Sequence, residues 1–205
     1  VIRTLGNSDG TFRQASEEAR RLSGADGVWR HGPVLTVDTR EGVQYRFVDA
    51  GVCEGYYTCR RWTFQGSAQT MGHAPQARLL NYWLIAFDQG EGGYWLAINA
   101  DDGSSTLLDT KPAISLDKRL WATGDCNELS DDSLKIFETD QFGRLTLAVE
   151  AGDTPCCEMV GWEGATLKVK SCDLDPHKVF EDRLSRQTDG SWAGERLRLA
   201  RPKTP

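Results

Sequence analysis

Pro112-Ala113-Ile114-Ser115-Leu116-Asp117-Lys118-Arg119-Leu120-Trp121-Ala122 sits inside the region whose reading decides the fold, Tyr82 to Val149. Around it, Leu96, Ile98, Gly103, Thr106 and Leu107 are followed at an offset of 40 by Ile136, Glu138, Gly143, Thr146 and Leu147. A strand, a glycine-containing turn and a second strand thus recur in register, and only Ile98 to Glu138 changes residue type. Trp121 and Trp162 lie 41 apart, each near the start of a β-rich stretch, and extend the spacing one step further. A period of about 40 to 45 residues with some four short strands is the length of a propeller blade. The expected fold is all-β with propeller-like repeats, arranged as four or five blades or as an open array of sheets.

The segment Pro112 to Ala122 resembles the Pro-x-x-Ser-x-Asp-Gly-(Lys/Arg)-x-x-Ala signature of the repeats in TolB-like β-propeller proteins. Ser115, Asp117, Arg119 and Ala122 stand in place, and Gly143-Arg144-Leu145-Thr146 matches the later phrase of that repeat. Leu116 replaces the usual Pro and Lys118 the usual Gly. A lysine held at positive φ is strained, so a different turn is expected there. The resemblance covers about a third of the chain and implies a scaffold. It carries no catalytic residue, because propellers host binding and catalysis alike.

Composition narrows the classes. The 205 residues, 39% hydrophobic with 7 Trp, 5 Tyr and 7 Phe, suffice for one sizeable core, and 21 Gly fit many turns. We expect a loose arm over residues 1–10, a single β domain over 11–200 with one helix near 14–23, and a disordered tail over 201–205. A net charge of -6 argues against a nucleic-acid partner or an anionic membrane surface, since phosphate binding needs a basic face. Apolar runs such as Trp83 to Phe87 fall far short of the ~20 residues of a membrane span. No targeting segment is visible. The chain opens at Val1, as a mature form whose signal peptide was removed, or a trimmed chain, would.

The six cysteines Cys53, Cys59, Cys126, Cys156, Cys157 and Cys172 permit three disulfide bonds. Cys53 and Cys59 flank a loop short enough to close locally. Cys156 and Cys157 are neighbours and are expected to pair elsewhere, with Cys126 and Cys172 as available partners. Disulfides rank ahead of free buried thiols and of zinc, for which no Cys-x-x-Cys half-site exists. Bridges would make the chain secreted or periplasmic.

In chain order, Ser16 to Leu22 is the one good helix, with Phe12, Ala15, Ala19 and Leu22 on one face and Gly24 as its stop. It is expected to cap the β body or, as the sharper reading, to dock a partner. Strands are expected at Val34–Val37, Val43–Val48, Arg60–Phe64, Asn81–Phe87, Gly93–Ile98, Thr106–Leu108, Leu134–Phe137, Leu145–Val149, Ala165–Lys170, Val179–Leu184 and Gly194–Leu199, with Trp192 in a turn. Gln65 to Arg78, with Gly66, Gly72, His73 and Pro75, reads as a long irregular loop. Such loops on a rigid scaffold are where binding lives.

Chemistry is sparse. The three histidines are His31, His73 and His177, and no Gly-x-Ser-x-Gly elbow or phosphate loop accompanies them. Asn99 to Gly103 and Asp125 to Glu128 hold oxygens for calcium without matching the usual ligand spacing, so solvated turns are the simpler reading. We therefore expect no cofactor, with calcium as the one ion to consider, and no other metal. Tyr56, Tyr57, Arg60, Arg61 and Trp62, beside the Cys53–Cys59 loop, form a possible aromatic and cationic contact surface, because such residues dominate hot spots. The competing reading packs Tyr57 and Trp62 inward. The expected function is a non-enzymatic binding or accessory subunit for a protein partner. The alternatives are an extracytoplasmic hydrolase using His73 with nearby acids, and a structural subunit of a larger assembly.

Overall fold

The computed structural model describes residues 17–50, 60–77, 79–88, 93–124, 134–151, 157–172 and 179–198. After a short helix over residues 17–22, everything regular among the described residues is β. A three-stranded sheet comes first: β1 (Val28–His31), β2 (Val34–Asp38) and β3 (Gln44–Val48). Three four-stranded sheets follow, each with its strands in sequence order. They are β4 (Arg61–Met71), β5 (Leu79–Asp88), β6 (Gly93–Asn99) and β7 (Ser105–Leu108); β8 (Ala113–Ile114), β9 (Leu120–Thr123), β10 (Leu134–Thr139) and β11 (Leu145–Ala151); and β12 (Cys157–Glu163), β13 (Thr166–Cys172), β14 (Val179–Arg186) and β15 (Trp192–Arg198). The result is an all-β fold of several small antiparallel sheets with a short N-terminal helix.

The 40-residue offset has a structural meaning. Gly103 lies between β6 and β7, and Gly143 between β10 and β11, so both turns join the third and fourth strands of their sheets. The tryptophan spacing does not, because Trp121 lies in the second strand of its sheet and Trp162 in the first strand of the next. The third copy of the turn is instead the β14–β15 connection with Gly190, 47 positions beyond Gly143.

Several turns share one construction. The carbonyls of Thr39, Ser115, Asp140 and Gln187 each accept from the N–H three residues on, at 3.0, 2.9, 3.1 and 3.0 Å. The residue donating that N–H is left-handed: Gly42 (φ 84), Lys118 (φ 62), Gly143 (φ 99) and Gly190 (φ 87). A type I turn closed by a left-handed residue matches the right-handed twist of the strands it joins. The different turn expected around Lys118 is therefore not found. Lysine adopts the glycine conformation, and side chains hold it there. Ser115 donates its hydroxyl proton to Asp117 Oδ1 (2.7 Å) and accepts Leu120 N–H (2.9 Å), while Asp117 Oδ1 also takes Arg119 N–H (3.2 Å).

Contacts divide the chain into two compact units. The first, Val1–Ala68 with Asn81–Leu107, has a core of Val28, Leu35, Val37, Phe47, Phe64, Trp83, Ile85, Ile98 and Ala100. The helix enters this unit through Leu22, packed on the core, and through Glu18, only 2% exposed. Ala19, expected on the buried face, is exposed. The reason is electrostatic: Glu18 Oε1 accepts from Phe64 N–H (3.0 Å) and Arg30 Nη2 (3.2 Å), and Oε2 lies 3.5 Å from Arg61 Nη2. Arg30 also pairs with Asp49 at 2.8 Å and donates to the Trp62 carbonyl.

The second unit comprises Gln69–Leu80 and Leu108–Pro205. Its core holds Ala122, Leu134, Ile136, Leu167 and Val169, with Trp162 and Trp192 packed against it. Trp162 Nε1 donates to the Ala113 carbonyl (2.9 Å) and Trp192 Nε1 to Glu138 (3.1 Å), tying the last two sheets together. Trp192 thus opens a strand and is not a turn residue, because Gln187 N–H to Ser191 carbonyl (2.7 Å) closes the turn before it.

The disulfide expectation is corrected. No disulfide bond is present among the described residues. Cys157 opens β12 and Cys172 closes β13, and the register sets Cys157 opposite Ser171 and Cys172 opposite Val179, so the described strand pairings do not set these two cysteines opposite each other. Cys53, Cys59, Cys126 and Cys156 lie outside the described residues. No helix among the described residues is long and apolar enough to cross a membrane.

Candidate functional site

The irregular loop expected from Gln65 to Arg78 is mostly strand. β4 runs on to Met71 and β5 begins at Leu79, leaving a compact turn. Gly66 takes a φ of 117 and lets the strand continue through it. The tip of this hairpin belongs to the second unit, where it meets two other turns.

Backbone hydrogen bonds lock the three turns together. Met71 N–H donates to the Lys118 carbonyl, Ala74 N–H to Gln141 and Thr139 N–H to Arg119, each at 3.0 Å. The Thr139 hydroxyl donates to the Met71 carbonyl (2.7 Å), the buried Thr70 hydroxyl to Gly143, and Lys118 Nζ to Gln69 Oε1 (2.6 Å). Gly72 is buried in the junction, where an added Cβ would lie 2.5 Å from the Gln141 carbonyl oxygen and 2.7 Å from Gly143 N. Backbone approaches that close leave no room for a side chain.

Two apolar side chains stand on these turns without a use inside the fold. Leu116, at the tip of the Ser115 turn, is 95% exposed, and Phe142, at the tip of the Asp140 turn, is 56% exposed. Asp140 Oδ1 accepts both Phe142 N–H (2.8 Å) and Arg144 N–H (2.9 Å), so the Phe142 tip is held as firmly as Leu116 is by Ser115 and Asp117. His73 is exposed in the adjoining turn, and no hydrogen bond or ion pair joins it to a carboxylate among the described residues.

The other residues singled out from sequence fall elsewhere. Tyr56 and Tyr57 lie outside the described residues. Arg60 is exposed in a bridge with Ala50, and Arg61 reaches Glu18. Trp62 packs inward, its ring centroid 4.6 Å from Phe47 and 4.5 Å from Phe87, with Tyr94 edge-on at 5.8 Å. The first unit also carries a half-open cleft of about 600 Å³, lined by Arg21, Asp26, Asp38, Arg40, Ser67 and Trp83 among others. Its arginines are engaged, Arg21 with Gln65 (2.7 Å) and Arg40 with Asp101 (2.7 Å).

Calcium finds no prepared cage in the Asn99 turn. Asn99 Oδ1 accepts Asp101 N–H, Asp102 Oδ1 accepts Ser104, and Asp101 pairs with Arg40. No group of three or more His, Cys, Asp or Glu side chains that could hold a metal occurs among the described residues, and residues 125–133 lie outside them.

No protein-family model, no curated protein and no solved structure matches this chain. The likeness of Pro112–Ala122 to TolB-like repeats therefore stays at the level of a general β-repeat architecture.

The turn platform was hidden from sequence reasoning because its three members lie far apart in the chain. One local signal did point to it. Leu116 sits where the signature has Pro, and a leucine inside a polar turn calls for an explanation.

Proposed function

We propose that this chain is a non-enzymatic binding or accessory subunit that meets a protein partner through turns on a propeller-like scaffold. The scaffold part is the closure of the four sheets as blades. It is supported by the recurring left-handed turns between third and fourth strands, and in the second unit by Trp162 of β12 bonding to Ala113 of β8, both in first strands. The observation that carries the binding reading is the turn platform. Three rigidly bonded turns expose Leu116 and Phe142, and ordered apolar side chains that the fold leaves in water mark contact surfaces. A hydrolase using His73 needs a carboxylate to orient its imidazole, and the described residues provide none. No compartment is part of this reading, because the extracytoplasmic home expected from the sequence rested on bridges that the described residues lack.

The test is a photo-crosslinking residue placed at position 116 of the full chain in its native source, with the same residue at 107 as control, since Leu107 is also exposed (57%) but lies on β7. A single protein adduct at 116, absent at 107 and abolished by Phe142→Asp, is the expected result. Equal labelling at both positions would overturn the reading. So would turnover on a hydrolase panel that His73→Ala removes.

A further inference from the structure

We infer that the partner segment received by the turn platform is both apolar and acidic, its apolar side chains packing on Leu116 and Phe142 and a carboxylate pairing with Arg119. This rests on the binding reading above and adds the chemistry of what is bound. The observation behind it is an unmatched cation. Arg119 follows Lys118 in the same turn, its carbonyl is taken by Thr139 N–H, and its side chain is half-buried. Its Nε is fully buried with no hydrogen-bond partner, and no ion pair to its guanidinium exists among the described residues.

The other half-buried arginines provide the contrast. In the first unit Arg21 pairs with Glu17, Arg30 with Glu18 and Asp49, and Arg61 with Glu18. In the second unit Arg183 pairs with Glu181, and the exposed Arg186 with Glu138. The two carboxylates of the platform are already committed, Asp117 to Ser115 and Arg119 N–H, and Asp140 to its own turn. The guanidinium has no counter-charge among the described residues, and a carboxylate from outside that meets its Nη groups would form a charge-assisted pair while fixing the register of the apolar contact. Arginine is also among the residues that dominate binding hot spots.

The experiment uses the full chain and three short synthetic peptides of equal length: one alternating Leu and Phe with Glu, one with Gln in place of every Glu, and one with Lys. Binding is read by fluorescence anisotropy. The Glu peptide should bind, the Gln peptide about tenfold more weakly, and the Lys peptide not measurably. Arg119→Gln should erase the preference for Glu over Gln, whereas Arg119→Lys should retain part of it. Leu116→Ser with Phe142→Ser should weaken all binding, and Leu107→Ser should change nothing. Equal affinity for the Glu and Gln peptides overturns the acidic partner while leaving the platform standing. Binding by none of them, or binding to phosphatidylglycerol vesicles in their place, overturns the platform as a peptide-docking surface as well.

Discussion

Glu18 and Ser115 are both buried polar residues, each 2% exposed, and they hold their surroundings in opposite ways. Glu18 works through charge, gathering Arg30, Arg61 and the Phe64 N–H around one carboxylate, with Asp49 completing the group. Ser115 is itself neutral, its hydroxyl bonded to the exposed Asp117 carboxylate and the Leu120 N–H and its backbone closing a turn that two other turns then lean on. Removing one member of a buried ionic group leaves uncompensated charge, whereas a net of neutral backbone bonds loses one increment at a time. The first unit is therefore anchored at one sensitive point, and the second is secured at many moderate ones.

Glu18→Ala should do the most damage. It strands two partly buried arginines and the Phe64 N–H, and a loss of about 3 kcal/mol or more is expected in chemical denaturation. A loss below about 1 kcal/mol would show that Asp49 alone can hold Arg30, and would dissolve the contrast. Gly72→Ala comes next, at about 2 to 3 kcal/mol, because its Cβ meets backbone atoms that cannot move without breaking the turn net. Amide exchange should speed up at Met71 and Ala74, whose N–H groups bridge the turns.

Lys118→Gly acts in the other direction. It relieves a left-handed lysine, worth ~1 kcal/mol, but gives up the bond to Gln69 and loosens the unfolded chain, so a net gain below about 1 kcal/mol is expected. A clear loss would mean that the Gln69 bond outweighs the strain. The smallest effect is on pH. The Lys168 ammonium, 2.6 Å away, holds the Glu163 carboxyl below its usual range, first by hydrogen bonding and then by charge, with Arg183 adding to it. A depressed folded-state pKa stabilises above the unfolded value and loses that contribution as pH falls through the folded one. Carboxyl NMR should find Glu163 titrating low, and Lys168→Met should move it upward.

How much of this was legible depended on what each residue was answering to. β2, β5 and β10 follow from apolar runs or alternation in Val34–Val37, Asn81–Phe87 and Leu134–Phe137, because most of their apolar residues are buried, and β11 follows from the alternation of Leu145–Val149 although Leu147 stays 52% exposed. β1, Val-Trp-Arg-His, gives no strand signal because Arg30 enters the interior as half of an ion pair, which no hydropathy pattern shows. The outer half of β4 reads as a loop because Gln65, Gly66, Ser67, Gln69 and Thr70 are turn-like in isolation, and their strand is made by neighbours. The apolar face read from sequence includes Ala19 and has no place for Glu18, since a lone glutamate belongs in water unless cations distant in sequence await it.

The sequence by itself determined the local vocabulary: all-β, short strands, and a turn recurring 40 residues apart. Strand alternation and left-handed turn positions are properties of a few consecutive residues. Only the tertiary structure decided which turns stand together. Residues 69–77, 115–119 and 139–144 become one surface through hydrogen bonds between backbones 20 or more positions apart, and those bonds depend on sheet geometry and not on side-chain pattern. Leu116 and Phe142 were visible as letters from the start, but their shared exposure on a rigid support belongs to the fold.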